Sequence, residues 1–279
     1  VGAGNVLIGT TLAWIVLVIG AAIAADWLPL PPPDSMDWNN TASSPGTVGH
    51  VFNQAQGQGR NERIYLIGTD TMGRDMLSRL VHGARVSMTV GVFPPLIGLV
   101  VGGFVGILAG FWRGTPDAVI VGLMDAILAF PGLVLLLAVT YYFGQGLQNL
   151  LLTLGFFSVP AFCRVARAKT LTVAGREFIL AARMSGASRL RVMIVEIVPN
   201  ILIALMVYAL FVSAYMIVVE GALSFLGLGI PPPTPSWGGM IAEGKEVLGE
   251  APHVTLIPAA AMFLTVLSLN LLGDELRSS

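Results

Sequence analysis

Two acidic residues lie within or directly beside long apolar runs, where a charged side chain is energetically costly. They are the first candidates for functional residues. Asp125 lies inside the apolar run 118–143, and Glu220 directly follows the apolar run 192–219. A carboxylate inside a membrane must face protein or water, so each could belong to a path for a substrate, a cation or a proton. In the structural alternative, Asp125 forms hydrogen bonds with polar groups of another helix, although the predicted spans contain no Lys or Arg to pair with it. Glu220 would then have an interfacial or capping role at the end of its helix. Pro131 would break the first run, which suits a path.

Sequence patterns for catalysis or metal binding are missing. Gly244-Lys245 is followed by Glu246, so the G-x-x-x-x-G-K-[ST] phosphate-binding pattern does not occur. There is no His-Glu-x-x-His, and Cys163 is the single cysteine. We therefore predict that the chain is not an enzyme and has no catalytic residue, metal or cofactor of its own. Any ATP, with its Mg, must be bound by another polypeptide.

Positive charge is concentrated in one segment. Seven of the fifteen Lys and Arg lie between Arg164 and Arg191. Within it, residues 177–190 are good helix formers, with a break marked by Ser185 and Gly186, and a second helical run begins near Leu190. This segment could be an orientation signal alone or a surface offered to another protein.

The elements that position these residues are membrane helices. The chain is 55% hydrophobic and 11% charged, with a mean hydropathy of +0.80, so it is predicted to lie in a lipid bilayer and to have no nucleic-acid partner. Uncharged or nearly uncharged runs predict an all-α protein with six transmembrane helices. The runs are residues 6–25, 86–112, 118–143, 144–163, 192–219 and 254–273.

Basic residues in short loops favour the cytoplasmic side, which places segment 164–196 and both termini in the cytoplasm. We expect a first transmembrane helix at 1–25, an extracytoplasmic loop at 26–85, and a core of five helices at 86–279 with an outer loop at 223–253. Residues 29–61 are turn-rich and predict an irregular excursion. Thr69 could cap a short interfacial helix over 70–84, in which Asp70 and Arg74 are four residues apart. Gly102 and Gly106 predict close helix packing.

The charged segment resembles the EAA loop of ABC importer permeases. The resemblance rests on Ala181-Ala182-Arg183-Met184-Ser185-Gly186 followed by Val198-Pro199. It implies a coupling helix that contacts the ATP-hydrolysing subunit. Leu180 stands where the generic motif has Glu, which leaves Glu177 as the nearest acid. The residues assigned to this contact are Glu177, Ala181, Ala182, Arg183, Gly186 and Ala187.

Longer matches narrow the resemblance to the C-type permeases of the dipeptide and oligopeptide transport family. They are Gly68-Thr69-Asp70 with Gly73-Arg74-Asp75, the stretch from Leu223 to Gly239, and Asn270-Leu271-Leu272-Gly273-Asp274. The resemblance implies a type I ABC importer (MetI-like) permease fold in the bacterial inner membrane. It also implies three kinds of partner: a second homologous permease forming a heterodimer, two ATP-binding cassette subunits that hold ATP and Mg, and an extracytoplasmic substrate-binding protein.

By the same resemblance, the binding protein docks on the outer segments, with Asp70, Arg74, Asp75 and Trp237 as candidate contacts. The path would include Asp125, Pro131 and Glu220. Di- or oligopeptides are the expected substrates, and nickel and glutathione importers of the same branch are the alternatives. An ion-coupled carrier that uses Asp125 or Glu220 is the rival from another class, but it leaves the Arg-rich segment without a role.

Overall fold

The computed structural model describes the backbone of residues 2–53 and 58–278 and the side chains of residues 8–49 and 64–277. Its main elements, in chain order, are α1 (Gly2–Ala24), β1 (Thr47–Asn53), β2 (Gln58–Tyr65), α2 (Met76–Ile97), α3 (Gly103–Trp112), α4 (Thr115–Ala129), α5 (Gly132–Phe143), α6 (Leu147–Ala174), α7 (Glu177–Met184), α8 (Arg189–Arg191), α9 (Val198–Phe225), α10 (Trp237–Gly244) and α11 (His253–Ser278). Two π-helical stretches, Gly98–Gly102 and Val192–Ile197, join α2 to α3 and α8 to α9.

Four continuous helices among the described residues are long and apolar enough to cross a membrane. They are Met76–Trp112, Leu147–Ala174, Arg189–Phe225 and His253–Arg277. Helices α4 and α5 form a fifth candidate span that is bent by 73°. Helix α1 has 23 residues and coincides with the predicted first span, but only Ile8–Ala24 of it could be tested as an apolar helix. Four of the expected spans are therefore found, the bent pair gives a candidate for a fifth, and six helices stay a prediction.

The break at Pro131 is confirmed. Phe130 and Pro131 have extended backbone conformations between α4 and α5, because the proline ring fixes φ and supplies no N–H for a continuing helix. Pro94-Pro95, in contrast, lies inside α2, and the π-helical stretch begins three residues after Pro95. A π-helical stretch lets a helix continue where regular hydrogen bonding is disturbed.

The separate interfacial helix predicted over 70–84 is wrong. Residues 69–75 form a turn closed by the antiparallel bridge Thr69↔Asp75, and the helix that begins at Met76 continues into the membrane span. The helix begins there because the Asp75 carboxylate accepts a hydrogen bond from the Leu77 N–H at 2.9 Å, which is the contact of an N-cap. Thr69 is therefore not the cap.

The irregular excursion predicted for 29–61 contains an antiparallel hairpin. Its pairing runs from Thr47↔Tyr65 to Val51↔Asn61, with an irregularity between Val51 and Asn53. The polar run beginning at Gln54 lies partly outside the described residues. Within residues 2–53 and 58–278, this hairpin is the one sheet in an otherwise helical fold.

The chain divides into two compact units. Unit 1 comprises residues 1–91, 145–147 and 214–272. One cluster of its core is formed by Met76, Met240, Ala251 and Val254. The Trp237 side chain is also buried, its indole Nε1 donating a hydrogen bond to the Leu80 carbonyl oxygen at 3.0 Å.

Unit 2 comprises residues 92–144, 148–213 and 273–279. In it, four glycines spaced by four residues, from Gly98 to Gly110, bring the second span against α6. A Cβ atom at Gly102 or Gly106 would collide with a carbonyl oxygen of α6, that of Val159 or Cys163. This contact confirms the packing predicted from the glycine spacing, because only the missing side chains let the two backbones approach so closely.

Candidate functional site

Helix α7 is a short exposed helix that connects α6 to the next long span. It is held to unit 2 by Ile179, whose side chain is fully buried. The coupling residues predicted from sequence are all near the surface: Glu177, Ala181, Arg183 and Gly186 are exposed, and Ala182 and Ala187 are half-buried. The predicted helix, turn and second helical run are therefore confirmed, whereas contact with an ATPase stays a prediction.

The end of α7 is fixed by a Schellman motif. The Ala187 N–H donates to the Ala182 carbonyl at 3.1 Å, and the Gly186 N–H donates to the Arg183 carbonyl at 3.0 Å. Gly186 has φ +81°, a conformation that costs any residue with a Cβ atom. Ser188 then caps α8 by accepting a hydrogen bond from the Arg191 N–H at 3.3 Å. The turn after α7 thus has a defined geometry.

The exposed face of α7 carries apolar side chains. Leu180 and Met184, one helical turn apart, are both exposed, and Met184 is 90% exposed. Arg183 lies over the ring of Phe111, with 6.0 Å between the guanidinium carbon and the ring centroid. Leu180, the position that departs from the motif, therefore lies with Met184 on an exposed apolar surface of α7.

Asp125 has a charged partner, which the sequence analysis did not find. Its Oδ1 lies 2.6 Å from Nη2 of Arg164 on α6, and the two side chains are 54% and 58% exposed. The expectation that no Arg inside a span could reach Asp125 was wrong, because the fourth span does not end at residue 163. Helix α6 continues to Ala174, which places Arg164 on a helix beside α4.

A second ion pair links the same two helices. Arg167 donates hydrogen bonds from Nε and Nη2 to the two carboxylate oxygens of Asp117, at 2.5 and 2.6 Å. This two-pronged contact is less exposed than the Asp125 pair. The structural interpretation of Asp125 as a helix–helix contact therefore has a geometric basis, and its place on a path stays a prediction.

In unit 1, four charged side chains form a largely buried cluster: Asp70, Arg74, Arg79 and Glu243. The sequence analysis named Asp70 and Arg74 as candidate contacts and did not name Arg79 or Glu243. Arg74 Nε lies 2.6 Å from Asp70 Oδ2, and Arg74 Nη2 lies 2.5 Å from Glu243 Oε2. Arg79 bridges the same two acids at 3.1 and 3.0 Å. Two cations and two anions balance, as burial of charge requires. The cluster joins the turn before α2 to α10.

The side chains predicted to meet a binding protein are therefore inside the protein. Asp70, Arg74, Asp75 and Trp237 are all buried, so direct contact through these side chains is not supported. The reason is that the bridged turn and α10 use them to hold unit 1 together. Docking elsewhere on unit 1 stays a prediction.

Glu220 is also enclosed. It is fully buried, and its Oε1 accepts hydrogen bonds from Ser224 Oγ and Ser236 Oγ, both at 2.8 Å. Ser236 Oγ accepts a further bond from the Gly239 N–H at 3.0 Å and so caps α10. In this conformation Glu220 anchors the start of α10 to α9, and its place on a path stays a prediction.

Sequence reasoning missed Asp117, Arg164, Arg167, Arg79 and Glu243 as structural partners. Their charges were visible, but, apart from Arg79 and Asp70, which are nine residues apart, the partners are separated by 39 to 169 residues, and no local spacing shows such pairs. Among the described side chains, no group of three or more His, Cys, Asp or Glu could hold a metal ion.

Comparison with known proteins places the chain among transport proteins. Residues 102–277 match the family described as binding-protein-dependent transport system inner membrane component. The chain is 37% identical over 268 residues to the di/tripeptide transport system permease protein DppC of Pseudomonas aeruginosa, an alignment that covers 96% of this chain and 85% of that protein. It is 39% identical over 213 residues to the glutathione transport system permease protein GsiD of Pectobacterium atrosepticum, covering 76% and 71%.

Among solved structures, the methionine ABC transporter MetNI in an inward-facing conformation is similar in fold. Its TM-score is 0.61 at 18% identity, and the alignment covers 73% of this chain and 97% of that chain. The likeness shows a MetI-like type I importer permease fold. The chain therefore belongs to the family of binding-protein-dependent transport system inner membrane components, and it is a multi-pass permease subunit of an ABC importer in the bacterial inner membrane.

Proposed function

We propose that this chain and a second, homologous permease form the path for di- or oligopeptides. An extracytoplasmic substrate-binding protein delivers the peptide, and two ATP-binding cassette subunits bind ATP with Mg and supply the energy. The substrate assignment is supported by the 37% identity to a di/tripeptide permease over almost the whole chain.

The observation that carries the coupling role is α7 itself. It is an eight-residue helix between two long spans, with one buried side chain, that of Ile179, one half-buried side chain, that of Ala182, and six exposed residues. A helix held in this way moves as a rigid body when a partner pushes on it. In the proposed cycle, ATP binding closes the ATPase pair, α7 moves with it, and the permeases open outward to the binding protein. Hydrolysis resets them inward.

Co-purification tests this role. Introducing charge through Ala182→Arg with Gly186→Asp should abolish retention of the ATPase subunits by the tagged permease. The matched control is Ala118→Arg with Gly114→Asp, which makes the same changes at an exposed alanine and at a positive-φ glycine four residues away. If the Ala182/Gly186 variant retained as much ATPase subunit as the Ala118/Gly114 control and the wild type, α7 would not couple to the ATPase.

Glutathione is the second candidate substrate, because the chain is 39% identical to a permease named for it. Both candidates are short peptides. Uptake of a labelled dipeptide into proteoliposomes that contain the whole transporter, with unlabelled dipeptide, glutathione or nickel as competitors, distinguishes them. Competition by glutathione alone would replace the dipeptide assignment, and competition by nickel alone would refute both.

A further inference from the structure

A cleft in unit 2 combines cations with an apolar wall. Its volume is 560 Å³, and it is lined by Val165 and Lys169 of α6, by a stripe of α9, and by Leu276 and Arg277 of α11. The α9 stripe consists of Asn200, Ile203, Ala204, Val207, Tyr208 and Phe211. None of the ten lining residues is acidic.

The floor of the cleft is fixed by two ring contacts. The Tyr208 ring meets the Phe162 ring of α6 edge to face, with 5.0 Å between centroids. Phe211 lies against Gly273 of α11, where a Cβ atom would come within 2.9 Å of the ring. These contacts align the three helices along their lengths.

From these alignments the order of residues along the cleft follows. Lys169 lies seven residues beyond Phe162, Arg277 four residues beyond Gly273, and Asn200 eight residues before Tyr208. At about 1.5 Å per residue, each is displaced by about 6 to 12 Å from the aromatic floor. Helix α9 leads away from the α7 end of the unit and α6 leads toward it, so Lys169 and Asn200 both lie at that end, and Arg277 lines the same cleft.

The polarity of the cleft thus changes in one direction. Lys169 and Asn200 lie at the end near α7, Arg277 adds a second cation to the lining, and aliphatic and aromatic side chains continue along α9 from there. The Asn200 amide donates one N–H to the Glu196 carbonyl oxygen at 2.6 Å, which leaves its second N–H for a ligand. An anionic head followed by an apolar chain matches this order, and basic clefts between membrane helices bind acidic headgroups.

We propose that this cleft binds an anionic phospholipid, with its phosphate group between Lys169 and Arg277 and an acyl chain along the α9 stripe. This site is additional to the peptide path and does not depend on which peptide is carried. The proposal predicts selectivity for acidic over zwitterionic lipid.

Native mass spectrometry of the purified transporter tests the proposal with phosphatidylglycerol and phosphatidylcholine as probes. Each cation contributes about fivefold in affinity, so Lys169→Gln with Arg277→Gln should weaken retention of phosphatidylglycerol roughly 25-fold. Lys169→Arg with Arg277→Lys should restore it. Arg189→Gln with Arg191→Gln removes two exposed cations elsewhere on unit 2 and should leave retention unchanged.

Three results would overturn the proposal. The first is equal retention of phosphatidylglycerol by wild type and the Lys169/Arg277 variant. The second is displacement of the bound lipid by inorganic phosphate or by a dipeptide, which would assign the cleft to a free anion or to the transported substrate. The third is a cross-link from Lys169→Cys to a partner permease, which would show that another subunit fills the cleft.

Discussion

The glycine contact between the second span, Met76–Trp112, and α6 gives a quantitative test of the fold. We consider the double substitution Gly102→Ala with Gly106→Ala. Each added Cβ atom would collide with a backbone carbonyl oxygen of α6, and a backbone oxygen cannot move aside as a flexible side chain can. The double substitution must therefore push the helices apart.

The expected magnitude follows from two opposing terms. Overpacking costs about 1–3 kcal/mol at each site, whereas replacing a helical glycine by alanine stabilises a helix by about 0.5–1 kcal/mol. For two sites, the net loss in the free energy of unfolding is about 0–5 kcal/mol, with a central value of about 2.5 kcal/mol. A matched control is Gly20→Ala with Gly122→Ala, because both glycines lie in helices with nothing within 4 Å of the added Cβ atom. The control should be neutral or more stable by up to about 2 kcal/mol.

Thermal unfolding of the permease subunit in detergent measures the difference. At about 2–4 °C per kcal/mol, the scale for chains of 150–250 residues, the central value corresponds to a loss of about 5–10 °C in Tm for the Gly102/Gly106 variant, whereas the Gly20/Gly122 variant should not lose any. Equal Tm values for the two double variants would refute the close approach of α3 to α6.

Further tests concern the polar contacts. Asp117→Asn breaks a two-pronged, half-buried pair and should cost about 1–2 kcal/mol in chemical unfolding, whereas Asp125→Asn breaks an exposed pair and should cost under about 1 kcal/mol; an equal or reversed order would contradict the geometry. If Asp125 also lines the path, Asp125→Asn should change uptake but leave assembly intact. Glu220→Ala should cost about 2–4 kcal/mol and Glu220→Gln much less, because only Gln keeps an acceptor for the two serine hydroxyls; equal losses would refute the anchoring role. Trp237→Phe should lose about 0.5–1.5 kcal/mol with its indole hydrogen bond, and unchanged stability would argue against that bond.

The spans and the coupling segment could be predicted because their signals are local. Uncharged runs, the glycines at 102 and 106, Pro131, and the break at Gly186 each act through the geometry of neighbouring residues. The same local reasoning placed a helix cap at Thr69, where the structure has a bridged turn and the cap at Asp75.

The polar contacts could not be predicted because they are long-range. In the sequence, Arg74 and Arg79 resemble ordinary charged residues of an outer helix. Only the position of α10 shows that both form ion pairs with Glu243. Arg164 looked like a positive charge just past a span until the length of α6 placed it beside Asp125. The candidate docking and path residues were thus chosen by type, and their burial depends on helix pairing that the sequence does not encode locally.

The central claim is that this permease imports its substrate with energy supplied through α7. The most direct test is uptake of a labelled dipeptide into proteoliposomes that contain the whole transporter and its binding protein. We predict uptake that requires ATP on the α7 side, that is lost in the Ala182→Arg/Gly186→Asp variant and that is retained in the Ala118→Arg/Gly114→Asp control. Uptake driven by an ion gradient without ATP, or unaltered in the α7 variant, would contradict the claim.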